Sequence, residues 1–198
     1  MKKVFAITML MLMLSTIATS TEFPILDKQV EIRQSHLAWI IAEQEIRMYA
    51  AIEYIHNISA GQGTAELDSL LAELHEQKGK IQTLTTHVAL NTALRQLQQI
   101  TSDFREELRT QMNVYQGKTL FLLNQIQTGL ENNATMLSSL EDTYWTMRQT
   151  NELWIFDTRI EDAQTILITL TNRGYNTTES QEKLDEIQDE RSKLEAAY

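Results

Sequence analysis

The sequence predicts an all-α fold: an elongated antiparallel bundle of about five helices with coiled-coil-like packing. Three observations predict it. The chain of 198 residues holds one proline and six glycines, far fewer turn formers than a β-protein of this size needs. No run of alternating apolar and polar residues has strand-like composition. Leucines and isoleucines recur instead at helical spacing over long stretches.

Before the bundle comes a segment of another kind. Met1-Lys2-Lys3 is a short positive start, Val4 to Leu14 is almost wholly apolar, and Ser15 to Ser20 turns small and polar. Ala18 and Ser20 are small residues at the −3 and −1 positions of a cut after Ser20, the layout of a secretory signal peptide. The alternative is an uncleaved anchor, but the apolar stretch is shorter than the ~20 residues of a spanning helix. The reading is therefore a signal peptide over 1–20 and a single helical domain over 21–198, secreted or periplasmic, with no stable membrane anchor after cleavage. Cleavage removes two lysines and no acid, which leaves 15 cations against 27 acids and a net charge of −12. So acidic a chain is a poor polyanion binder, because phosphates need neutralising cations; nucleic acid is excluded as the expected partner. With no cysteine, the fold uses no disulfide.

The elements follow in order. A first helix covers about 25–59, with Pro24 where a helix begins, a position proline favours. A second covers about 64–83, on the heptad spacing of Leu67, Leu74, Ile81 and Val88, with Leu70, Leu71 and Leu84 between. A third covers about 86–130, through Leu90, Leu97 and Phe104 with Leu94, Leu108, Tyr115 and Leu122 alongside; Gly117 and Gly129 bend or shorten it. The second and third registers are out of phase between Val88 and Leu90. The slip falls in Thr83-Leu84-Thr85-Thr86 and reads as a kink or short turn, with a threonine available to cap the next helix. A fourth helix covers about 134–172, through Leu137, Tyr144, Leu153, Ile160 and Leu167, on a register that begins at Leu130. A fifth covers about 177–196, highly charged, with a narrow apolar stripe of Leu184, Ile187 and Leu194. At 1.5 Å per residue the long helices reach roughly 50–65 Å, hence the elongated bundle.

A weak repeat runs at a constant offset of 113 residues. Ala60-Gly61-Gln62-Gly63-Thr64-Ala65-Glu66 matches Arg173-Gly174-Tyr175-Asn176-Thr177-Thr178-Glu179, with Ile55/Ile168, Leu71/Leu184, Glu73/Glu186 and Leu74/Ile187 around it. Gly61 and Gly174 suit the left-handed end of a helix, Thr64 and Thr177 can cap the next one, and Glu66 and Glu179 fall where the helix dipole favours a carboxylate. Each unit is a helical hairpin, a scaffold feature that any hairpin of this kind shares. The two hairpins, some 60 residues in all, loosely resemble uncharacterised secreted all-helical proteins of methanogenic archaea. The resemblance implies a helical, exported protein and carries no known activity, so it transfers no catalytic residue.

The chemical motifs stop short. Gln116-Gly117-Lys118-Thr119 ends like a phosphate-binding loop, but Met112 stands where the pattern needs glycine, and no strand precedes it. His75-Glu76-Gln77-Lys78-Gly79 begins like a zinc-protease helix with Gly79 in place of the second histidine. Glu53 and His56 form a Glu-x-x-His pair, half of a di-metal carboxylate site. His36, His75 and His87 follow Arg33, Ala72 and Leu84 at that spacing, so no second pair completes it. The other reading is a solvent-facing pair near a helix end, where a protonated imidazole suits the dipole. No catalytic residue and no cofactor are expected. Trp39, Tyr49 and Tyr54 on the first helix and Tyr144, Trp145, Trp154 and Phe156 on the fourth are core, or line a hydrophobic groove; adjacent Tyr144 and Trp145 cannot both face one core. Sequons at Asn57, Asn133 and Asn176 fall at expected helix ends, where an acceptor is exposed.

These features leave two functional classes. One is an exported non-enzymatic bundle acting through protein contacts, in an envelope-structural, assembly or chaperone-like role, with a protein partner or a second copy of itself. The other is a small-ligand or metal-binding bundle that uses an aromatic groove or the Glu53/His56 pair.

Overall fold

The computed structural model describes residues 22–197, with side chains from Asp27 onward. The expected signal peptide, residues 1–20, lies outside the described residues. Among those described, 88 % are helical, with no strand, in six packed helices. These are α1 (Glu22–Ile58), α2 (Ala65–Ile81), α3 (His87–Val114), α4 (Thr119–Asn132), α5 (Ala134–Asn172) and α6 (Thr178–Ala197).

The helix expected over 86–130 is two helices. Its break follows from the backbone around Tyr115. Gln116 takes φ +51°, and the Gly117 N–H returns to the Met112 carbonyl at 2.8 Å. A positive-φ residue followed by this six-to-one bond is the Schellman ending that satisfies the last carbonyls of a helix. The α1–α2 turn closes the same way, with Ala60 at φ +51° and the Gly61 N–H on the His56 carbonyl at 2.9 Å.

The chain falls into two compact units, 30–145 and a second made of 146–197 with the first residues of α1. In the larger unit the core is one stripe from each helix. It combines Leu37, Ile41, Met48 and Ile55 of α1, Leu67, Leu71 and Leu74 of α2, Leu90, Leu97 and Phe104 of α3, and Leu122 of α4. In α3 the buried positions 90, 93, 97, 100 and 104 alternate by three and four, the spacing of a coiled-coil seam. Val88, continued from the α2 heptad, is 77 % exposed: the intervening turn resets the phase. Thr86 caps α3, its Oγ1 accepting from the Ala89 N–H at 3.2 Å. Gln34 of α1 holds the turn from the other side, its Nε2 donating to the Leu84 carbonyl at 2.8 Å.

Gly129 brings α4 against α1. A Cβ there would stand 3.3 Å from Ile46 Cγ2 and 3.5 Å from Ala50 Cβ, so the residue permits close helix approach and leaves α4 uninterrupted. The tip of the same helix is pinned by buried Tyr54. Its hydroxyl accepts from the Lys118 N–H at 2.7 Å and donates to the Lys118 carbonyl at 3.2 Å.

In the smaller unit Ile160 and Leu167 of α5 pack on Leu184 of α6, with Ala163 beside them. Arg191 grips Asp157 with two bonds, Nε–Oδ1 at 2.8 Å and Nη2–Oδ2 at 3.0 Å, the paired geometry that suits a guanidinium and a carboxylate. The rest of α6 is solvated and charged. Asp189 and Glu190 bond the Lys193 ammonium and raise its pKa above the ordinary lysine range, and Glu186 does the same for Lys183.

Candidate functional site

Every fourth or third residue of α1 from Glu45 onward, namely Glu45, Tyr49, Glu53 and His56, lies on one helix face. In the larger unit this face borders an open groove of about 720 Å³, closed on the far side by Thr128, Gly129 and Asn133 and at one end by Asp68 of α2. The groove exists because Gly129 has no side chain to fill it and because α4 gives way to α5 at Asn133, a single non-helical residue at ψ +11°.

The groove brings Glu53 and His56 to a common lining, with Glu45 and Asp68 as further carboxylates. Each of the first three is engaged. Glu45 is mostly buried; its Oε2 accepts from Lys78 Nζ at 2.7 Å, and its Oε1 lies 3.3 Å from His75 Nε2 without a hydrogen bond, both partners reaching over from α2. Glu53 accepts from Gln125 Nε2 at 2.8 Å. The His56 ring lies against Gly61, with Cε1 3.3 Å from where a Cβ would stand. Among the described residues no group of three or more His, Asp or Glu side chains converges in a metal-binding arrangement. The groove therefore offers an acidic wall with one exposed aromatic ring, Tyr49, tilted on His75 at 5.9 Å.

The other aromatics do different work. In the larger unit Tyr144 stacks on His36 at 4.6 Å and lies 6.3 Å from Trp39, and Trp145, tilted on Tyr144 at 5.0 Å, is among the exposed large apolar residues. Adjacent helix positions point about 100° apart, so only one of the pair enters the stack. In the smaller unit the Lys28 ammonium sits 4.1 Å over the Trp154 ring, and Phe156 is exposed. Sequence reasoning missed His36, Gln34 and Gln125, because nothing in their spacing marks which helix they will meet.

The hairpin residues divide. Gly61 and Gly174 both take positive φ, +85° and +80°, but at different places in their turns. Gly174 itself follows the helix, with the Tyr175 N–H on the Leu170 carbonyl at 3.1 Å, whereas Gly61 comes one residue later, after Ala60. Thr64 does not cap as the sequence suggests. The Thr64 side chain makes no capping bond, and the Thr177 hydroxyl pairs with Thr171 Oγ1 at 2.8 Å. Ahead of α6 it is the Asn176 Oδ1 that accepts, from the Thr178 N–H at 3.1 Å.

A second surface feature lies on α4. Leu120, Phe121 and Leu123 are 68 %, 55 % and 55 % exposed, and α4 carries one acidic residue, Glu131, in fourteen. Among the described residues no helix is long and apolar enough to cross a membrane. Comparison with protein-family models, with curated proteins and with solved structures finds no match to this chain.

Proposed function

We propose that the chain is an exported, non-enzymatic helical bundle that works through protein contacts, with the outer face of α4 as its contact surface and a second copy of the chain as the partner. The exposed Leu120-Phe121-Leu123 group carries this reading. Covering such side chains gains roughly 1.5–3 kcal/mol each when burial is complete. α4 is also where two acidic chains can meet with little repulsion, since its one acid contrasts with the seven of α6. The apolar start of the sequence and the sequons support export.

The test is light scattering on a size-exclusion column with the chain lacking residues 1–20, with and without Leu120→Ser, Phe121→Ser and Leu123→Ser together. Concentration-dependent association of the parent and a monomeric, equally helical variant are expected. A parent that stays monomeric at high concentration refutes the self-contact. Recovery of the full-length chain from inside an expressing cell, uncleaved, refutes export. The second reading is ligand or metal binding in the groove, which the shared position of Glu53 and His56 favours. Titration with divalent metal ions, using His56→Ala as the control, decides it.

A further inference from the structure

We propose that, of the three sequons, Asn176 alone is an N-glycan acceptor in the folded chain, taking an oligosaccharide from a polyprenyl-phosphate-linked donor. The proposal rests on the export reading, because such donors face the exported side of a membrane, but its chemistry stands on the three sites themselves. A transferase must reach both the asparagine amide and the hydroxyl residue two positions on, in a segment free to leave helical geometry.

Asn57 fails on its hydroxyl partner. It lies inside the last turn of α1, and Ser59 is buried, its hydroxyl bonded to the carbonyls of Gln62 and His56. Asn133 fails on its amide. Its Nδ2 is committed to the Gly129 carbonyl at 2.9 Å, and the following residues already belong to α5.

Asn176 is better placed: residues 175–177 are non-helical, and its hydroxyl residue Thr178 is only the first residue of α6. Asn176 and Thr178 are both exposed, and the asparagine stands in the non-helical connection between α5 and α6. Its Oδ1 accepts from the Thr178 N–H at 3.1 Å, so the nitrogen is turned away from the backbone. Among the described residues Nδ2 has no acceptor. The same bond polarises the amide carbonyl and makes an Nδ2 proton easier to remove. Tyr175, an exposed ring next in sequence, offers an apolar face to the first saccharide.

In the transfer, a bond forms between Asn176 Nδ2 and the anomeric carbon while the bond from that carbon to the phosphate oxygen breaks. The polyprenyl phosphate leaves with the electron pair, and one amide proton passes to a base of the transferase.

The experiment incubates purified full-length chain, folded or unfolded in urea and then diluted, with an oligosaccharyltransferase and its lipid-linked oligosaccharide. Mass spectrometry of the tryptic peptide 174–183 reads the product. Folded protein is expected to carry glycan on that peptide alone, with Thr178→Ala abolishing it and Asn57→Gln or Asn133→Gln leaving it unchanged. A folded chain unmodified at Asn176, or modified at Asn57 or Asn133 to a similar extent, overturns the proposal, whatever the unfolded sample does. Because the assay uses purified protein, its failure is distinct from a failure of export, which cell fractionation reads separately.

Discussion

Replacing Tyr54 with phenylalanine isolates the bond that pins the start of α4. The ring stays buried, so no apolar contact is lost and only the hydroxyl is removed. That hydroxyl accepts from the Lys118 N–H at 2.7 Å and donates to the Lys118 carbonyl at 3.2 Å. The Lys118 side chain supplies no cap of its own, so the N–H depends on Tyr54 or on water. Each net hydrogen bond is worth ~0.5–1.5 kcal/mol. The 3.2 Å bond is the weaker of the two, and water can reach exposed Lys118, so the loss sits in the lower half of the combined range, about 1–2 kcal/mol. Hydrogen exchange reads this locally: the Lys118 amide should exchange about 5–30-fold faster in Tyr54→Phe, while amides in the middle of α3 change less. Tyr54→Ala adds the loss of the buried ring and should cost a further ~3 kcal/mol or more in urea unfolding. If Tyr54→Phe leaves both the Lys118 exchange rate and the urea midpoint unchanged, the hydroxyl does not hold α4 and the reasoning fails.

Three further outcomes follow from the same geometry. Leu74→Ala, at a fully buried position, should lower stability by ~2–5 kcal/mol, whereas Val88→Ala, on the same heptad spacing but exposed, should change it by less than ~0.5 kcal/mol; urea unfolding compares them. Thr86→Ala removes a cap that is made and should cost about 1 kcal/mol. Thr64→Ala removes one that is not, and thermal unfolding should barely move. Gly79→Ala, inside α2 with nothing near its Cβ, should stabilise by ~0.5–1 kcal/mol. Gly174→Ala, at φ +80°, should destabilise by ~1–2 kcal/mol, so circular dichroism melts should shift in opposite directions.

What the sequence determines here is local. Helix type is written in the spacing of Leu67, Leu74 and Ile81 and of Leu90, Leu97 and Phe104, because one apolar stripe per helix must be buried whatever covers it. The phase slip at Thr83 to Thr86 likewise marks a break, because a continuous helix cannot carry two registers on one face. The extent of α5, residues 134–172, is legible for the same reason. Only the tertiary structure decides which stripes meet. Gly117 reads in sequence as a bend or a shortening of one helix; the positive φ of Gln116 beside it decides for an end, after which α4 starts. Thr64 has the composition of a cap but not its geometry, because a cap depends on the angles of the incoming chain and Thr64 is at φ −103°, ψ −14°. The groove beside Glu53 and His56 needs Gly129 seated on Ile46, a contact across more than eighty residues with no signal at either end. On α4 the spacing marks Leu122, which is buried, but gives no sign that Leu120, Phe121 and Leu123 stay together in water.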